Sequence, residues 1–292
     1  MKSRREGCSF WLLAVLATVG AACAEAPARP QSPAPARQLV PVPICLAPLS
    51  PSATHGPLAP ADYWPLLWPA FAERPEQLDA RDRDCAGRQP LSPWAGLATP
   101  LRPLAAAASV TRSSDDLEII WLPAAAEAER RPAGLLALGR RRERRLEVYA
   151  LGVHTGDPER TRFTWQRLGS RLVVSALEPC GPDAPEGCES SVSLYLVRRG
   201  RLSQLGTLAL ERQLRAPAAG RNGPAPEYHF QAQLKYRPDG IHLQEQLSVR
   251  DRTQELRRSE LERVLTLRGD RLVESEPSLW QQTLAELSGP PH

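Results

Sequence analysis

The stretch Tyr228-His229-Phe230-Gln231-Ala232-Gln233-Leu234-Lys235-Tyr236, followed by Arg237-Pro238-Asp239-Gly240 and by Ile241-His242-Leu243-Gln244-Glu245-Gln246-Leu247-Ser248-Val249, decides the fold. Apolar and polar residues alternate on both sides of a turn. Period two is the mark of a strand with one buried face. Pro at the second and Gly at the fourth position of Arg237–Gly240 suit a type I turn. A four-residue loop then sets Tyr236 opposite Ile241, Leu234 opposite Leu243 and Phe230 opposite Leu247. A three-residue loop would set Leu234 opposite Gln244 and mix the faces, so the hydrophobic pattern selects the first register. Glu245, opposite Ala232, is the one acid on the apolar side. A buried lone carboxylate is costly. Either an arginine pairs with it, or it is a perturbed acid lining a cavity.

Outward from this hairpin the same grammar repeats. Short apolar runs broken by Gly, Pro, Asp or Arg predict strands at 117–122, 134–139, 146–153, 162–168, 171–177, 191–198, 201–211, 228–236, 240–249, 261–268 and 271–275. Arg199-Gly200 and Gly269-Asp270 read as hairpin turns, the latter with Gly where a type II′ turn prefers it. Residues 278–287 predict a short terminal helix, and Leu256–Val264 reads as partly helical. The expected body over 104–292 is therefore mainly β, an antiparallel meander of about ten strands forming a barrel, a sandwich or a propeller-like stack.

The front of the chain is different. Of 30 prolines, 17 fall between Pro27 and Pro103. Residues 1–24 read as a signal peptide: a basic start, the apolar run Phe10–Val19, then Gly20-Ala21-Ala22-Cys23-Ala24. Ala22-Cys23-Ala24 offers an ordinary cleavage site. Cys23 is also a candidate lipidation site, although Gly20 stands where lipoprotein signals carry an aliphatic residue. Residues 25–43 read as a Pro/Ala-rich spacer of the kind that holds a domain off a membrane. Residues 44–103 read as an irregular segment whose aromatics, Tyr63, Trp64, Trp68, Phe71 and Trp94, either pack on the β body or form an exposed platform.

Export would leave Cys45, Cys85, Cys180 and Cys188 in an oxidising compartment, an even number that points to disulfides. Cys180 and Cys188 bracket a loop of turn formers, which favours their pairing and leaves Cys45 with Cys85. A zinc site lacks both C-x-x-C and histidines at ligand spacing.

The formal net charge of +4 falls to about +2 without the leader's Lys2, Arg4, Arg5 and Glu6, too little for a nucleic-acid footprint. The densest basic run, Arg140, Arg141, Arg142, Arg144 and Arg145 around Glu143, reads as a solvated hairpin loop or as a site for anionic headgroups or polysaccharide. No Gly-x-Ser-x-Gly elbow and no phosphate-cradling glycine loop occurs, and no cofactor is implied.

At Cys45, at Leu78-Asp79 and Asp84-Cys85-Ala86-Gly87-Arg88, and at Leu146-Glu147-Val148-Tyr149-Ala150-Leu151-Gly152, the chain resembles uncharacterised exported proteins and lipoproteins of GC-rich myxobacteria. The resemblance implies a surface, outer-membrane or periplasmic protein and carries over no catalytic residue. The expectation is an envelope protein, tethered or secreted, whose β domain binds a protein or glycan partner or serves a structural role. The alternative is a hydrolase or carbohydrate-active protein using carboxylates such as Glu245.

Overall fold

The computed structural model describes residues 42–50, 58–75, 79, 82–88, 101–113, 116–125, 132–180, 189–216, 225–251 and 254–288. Cys23, Trp94 and Cys188 lie outside them, as do the leader and nearly all of the spacer. Over the described residues the chain is β-rich, with fourteen strands in one sheet that is not closed into a barrel.

The strands are β1 (Cys45–Pro48), β2 (Arg102–Pro103), β3 (Ser109–Arg112), β4 (Leu117–Ala125), β5 (Ala133–Arg142), β6 (Arg145–Thr155), β7 (Arg162–Leu168), β8 (Arg171–Glu178), β9 (Ser190–Arg198), β10 (Arg201–Arg215), β11 (Glu227–Arg237), β12 (Gly240–Asp251), β13 (Gln254–Arg268) and β14 (Arg271–Glu274). Two α-helices are described, α1 (Tyr63–Leu67) and α2 (Leu279–Leu287). The sheet runs β14-β13-β12-β11-β10-β6-β5-β4-β2, and β9, β8 and β7 branch from β10. All described pairings are antiparallel except one parallel contact, Arg201 on β10 against Leu151 on β6.

Strand β10 makes the branching work. Its first part pairs with β9 from Arg201 to Glu211, with two bulges, and its last part pairs with β11 from Glu211 to Arg215. Bulges bend a strand and sharpen its twist. β10 can therefore leave one layer and enter another.

The result is a stack in which the central strands β4, β5, β6, β8 and β9 bury both faces. On β4, Ile120 and Leu122 point one way and Ile119 and Trp121 the other. The first pair, with Leu135, Ala137, Leu146 and Val148, packs on Tyr63, Trp64, Leu67 and Trp68. The second, with Leu136, Leu138 and Tyr149, packs on Phe163, Val174, Ala176 and Tyr195. The opposite side of β8 and β9, carrying Val173, Val192, Leu194 and Leu196, meets Ile241, Leu243 and Leu265. Burial on both faces explains continuous runs such as Leu135-Leu136-Ala137-Leu138, in contrast to the alternation of β11 and β12.

Tyr63, Trp64 and Trp68 thus belong to the core, with Phe71 packed at its margin. Trp64 stacks on Phe71 with ring centroids 5.4 Å apart. Tyr63 Oη donates to Glu118 Oε2 at 2.8 Å, and Arg112 Nε donates to Glu118 Oε1 at 3.0 Å. Burial, and then the Glu118 carboxylate, push the Tyr63 phenol well above its usual range.

The hairpin at 228–249 has the expected register, with Tyr236 opposite Ile241, Leu234 opposite Leu243, Phe230 opposite Leu247 and Ala232 opposite Glu245. At Gly269 φ is +61° while Asp270 stays on the negative side, the pattern of a type II′ turn. One expectation is corrected. Leu256–Val264 is not helical but lies within β13, paired along its length with β12. Its sequence is rich in Glu, Arg and Leu, good helix formers, but the ladder offered by β12 overrides local propensity.

Candidate functional site

Alternation in β11, β12 and β13 turns one set of side chains to the core and the other outward. The outward set forms rows that cross the strands. Glu211 on β10 stands opposite Gln231, Gln231 opposite Gln246, and Gln246 opposite Glu260. Two residues along, Gln233 stands opposite Gln244, and Gln244 opposite Glu262. Between these rows runs an open groove of about 720 Å³, lined on the β10 side by Leu210 and by Ser190 of β9. Ala232, Glu245 and Leu261 also line it. Their side chains point inward, so the backbone of this middle row forms the floor.

The chemistry of the groove is polar and mildly acidic. Gln246 Nε2 donates to Glu260 Oε1 at 3.0 Å, and Lys235 Nζ donates to Gln244 Oε1 at 3.1 Å. Arg258 Nε lies 3.3 Å from Glu260 Oε1. Gln231 and Gln233 make no side-chain hydrogen bond among the described residues, so their amides remain available as donors and acceptors. At one margin His242 Nε2 lies 3.1 Å from both carboxylate oxygens of Asp239, and this contact lowers the pKa of Asp239 below its usual range.

Glu245 is not one of the groove's acids. Its side chain is wholly buried, and Oε1 accepts from Arg263 Nε at 2.5 Å. Oε2 accepts from the Leu279 backbone N–H at 2.8 Å, at the first turn of α2. That helix also has a complete capping box: Ser278 Oγ accepts from Gln281 N–H, and Gln281 Oε1 accepts from Ser278 N–H. Glu245 is therefore a buried anchor for the terminal helix, and its arginine partner is Arg263.

The basic run sits where β5 turns into β6. Arg140, Arg141 and Arg142 belong to β5, Arg145 opens β6, and Glu143 and Arg144 form the turn. Glu147 gathers part of this charge, 3.2 Å from Arg145 and 3.9 Å from Arg142, and accepts from Tyr149 Oη at 2.8 Å. The arginines are spread along a two-strand ladder rather than gathered around one pocket.

Cys45 and Cys85 are joined by a disulfide, with Cα atoms 5.9 Å apart. Cys180 is also disulfide-bonded, and its partner lies outside the described residues. Around Cys85 the loop is fastened by Asp84, whose Oδ1 accepts from the backbone N–H of Ala86 and of Arg88 at 2.9 Å each. Arg88 Nη2 in turn donates to the Gly200 carbonyl at 3.0 Å. The Asp84–Arg88 stretch is thus a structural clasp between the front segment and the β9–β10 turn.

A second buried polar cluster lies between β4–β6 and β8–β9. His154 Nδ1 is 2.7 Å from Tyr195 Oη, and its ring packs edge-on against Trp121 and Phe163. Burial pulls its pKa down to about 4, so it is neutral at ordinary pH. Among the described residues no group of His, Cys, Asp and Glu has the geometry of a metal site, and no helix is long and apolar enough to cross a membrane.

Compared with known proteins, the chain matches no family model, no curated sequence and no solved structure.

Only half of the groove could be found in the sequence. The hairpin register places Gln231, Gln233, Gln244 and Gln246 on one face. Glu211, Glu260 and Glu262 join them through strands whose lateral order no local pattern encodes.

Proposed function

We propose that this chain is an exported envelope protein whose β body binds an extended, hydroxyl-rich ligand, a glycan, along the glutamine groove without transforming it. The observation that carries the reading is the block of four glutamines between acidic ends. Each amide both donates and accepts, as sugar hydroxyls do, and the floor is backbone. The rim carboxylates Glu211, Glu260 and Glu262 favour neutral or amino-substituted saccharides over uronic-acid polymers. Glu245 has no part in it, since its oxygens are already committed to Arg263 and Leu279.

Export rests on the basic, apolar and small-residue leader, on the Pro/Ala spacer and on the disulfides, which belong to oxidising compartments. The intact mass of the mature protein tests it. A diacylglycerol-sized increment on Cys23 identifies an anchored form, a start at Glu25 a free one. A chain that keeps Met1 and stays in the cytoplasm refutes export.

Calorimetric titration with neutral N-acetylglucosamine oligomers and with oligogalacturonate tests the groove. The neutral series is expected to bind. Gln231→Ala and Gln244→Ala are each expected to weaken it by about 1 kcal/mol, roughly fivefold. Absence of binding by every saccharide, or equal binding by the double variant, would refute the glycan reading.

A further inference from the structure

Strand β13 is an edge for most of its length. β14 pairs with it only from Leu265 to Arg268, and Ser275 N–H closes the ladder on the Val264 carbonyl. From Arg257 to Arg263 no strand covers the outer side among the described residues. Because the Val264 carbonyl points outward, strand alternation turns the N–H and C=O of Glu262, Glu260 and Arg258 outward as well. A long uncovered edge of this kind is a template for another strand.

Charges on an edge usually prevent indiscriminate pairing. On β13 their order also selects a partner. Two copies related by a two-fold axis can pair antiparallel in a register centred on any residue from Arg257 to Arg263. Centring on Arg257, Arg258, Glu262 or Arg263 sets that charge opposite itself, and centring on Leu261 sets Glu260 opposite Glu262. Centring on Glu260 brings Arg258 opposite Glu262 but also Glu260 opposite Glu260 and Arg257 opposite Arg263. Centring on Ser259 sets Arg258 opposite Glu260 twice and no like charges together. Like charges directly opposite destabilise a sheet and opposite charges stabilise it. The Ser259 register is thus the one in this stretch that is free of like-charge pairs.

A second observation points to the same occupant. Helix α2 lies on the Glu245 side of the sheet and is tied to β13 by Arg257 and Glu286, 3.5 Å apart. It leaves Leu284 and Leu287 about 40% exposed. An axis perpendicular to the sheet at Ser259 keeps equivalent faces together, so the helices of the two copies, with these apolar side chains, lie on the same side of the joined sheet near the axis.

We propose that the protein forms an isologous dimer by antiparallel pairing of β13 with β13 of a second copy, centred on Ser259, with Arg258 of each copy opposite Glu260 of the other. Glu260 and Glu262 end the groove at this edge, so pairing joins two grooves into one across the axis. That consequence rests on the glycan reading above; the pairing does not.

Sedimentation velocity on the full chain, without saccharide, tests the dimer separately from the titration. Wild type is expected to sediment as a dimer over a concentration series. Arg258→Glu and Glu260→Arg are each expected to give monomers with unchanged far-ultraviolet dichroism. The double exchange Arg258→Glu with Glu260→Arg is expected to restore the dimer. Ser259→Cys is expected to yield a disulfide-linked dimer on oxidation that wild type does not form. A monomeric wild type overturns the proposal, as do single variants that stay dimeric, a double exchange that fails to rescue, or a Ser259→Cys chain that does not cross-link.

Discussion

Glu245 on β12 and Arg263 on β13 are diagonal neighbours on the inner face of the sheet, and the carboxylate they share with the Leu279 amide ties the last helix to the penultimate hairpin. Removing Glu245 leaves Arg263 with the partly exposed Glu274, 3.1 Å from its Nη1, in exchange for a buried partner. Replacing both with apolar residues of similar size is often tolerated.

Glu245→Ala is therefore expected to cost about 3–5 kcal/mol in urea unfolding. It should also free α2, seen as a red shift of the Trp280 emission, since that ring packs on Phe230 at 5.9 Å. The double variant Glu245→Leu with Arg263→Met should recover most of the loss. A double variant as unstable as the single one would show that the pair does more than neutralise itself.

The buried His154 gives the protein an acid-sensitive joint. Its pKa in the folded chain is about 4 against an ordinary 6.5. Between these values the unfolded chain binds a proton that the folded chain refuses, so stability falls as pH falls. The contribution is complete above pH 6.5 and is lost progressively towards pH 4, by up to about 3 kcal/mol. Thermal melts across this window should slope for wild type and flatten for His154→Gln. Equal slopes would assign the acid sensitivity to other groups.

Gly152 sits where β6 approaches β10. A Cβ there would lie 2.5 Å from the Leu202 carbonyl oxygen and 2.6 Å from Leu202 Cβ. Gly152→Ala should push apart the one parallel contact that joins the two halves of the sheet, at a cost of about 1–3 kcal/mol. The measurement is the urea midpoint at unchanged slope. An unmoved midpoint would mean that β10 shifts without penalty.

The Cys45–Cys85 bridge closes a loop of 40 residues. On the chain-entropy model it contributes about 4 kcal/mol. Cys45→Ser with Cys85→Ser should lose stability of that order, and reductant should do the same to wild type. Because the bridge flanks the Trp64 and Trp68 layer, tryptophan fluorescence should report the transition.

How far the sequence foretells this structure depends on where the information lies. The 228–249 hairpin could be read to the residue because one face is buried and the turn is short, so a slip of one position would invert every side chain. Strands β4, β5 and β9 were visible only as apolar runs. Nothing local says that both of their faces are covered, or by which layers. Leu256–Val264 misled because its helix-forming residues yield to a ladder partner that is itself remote from the local pattern. The acid at Glu245 was conspicuous from alternation alone, whereas Arg263 could be recognised as its mate only once β13 was known to be a strand. The groove depends on lateral order across β10 to β13, and only the middle pair of strands is joined by a decipherable turn.

The front segment has an implication for how the chain reaches this state. Tyr63, Trp64, Leu67 and Trp68 leave the ribosome before the strands that cover them, β4 to β6, have been made. Until then they form an uncovered oily surface with no internal shelter. Both sulfurs of the first bridge also precede those strands, so oxidation can gather this surface into a closed loop early. The sheet then folds onto a platform that already exists, and a chaperone that shields aromatic segments during the interval would act on this region first.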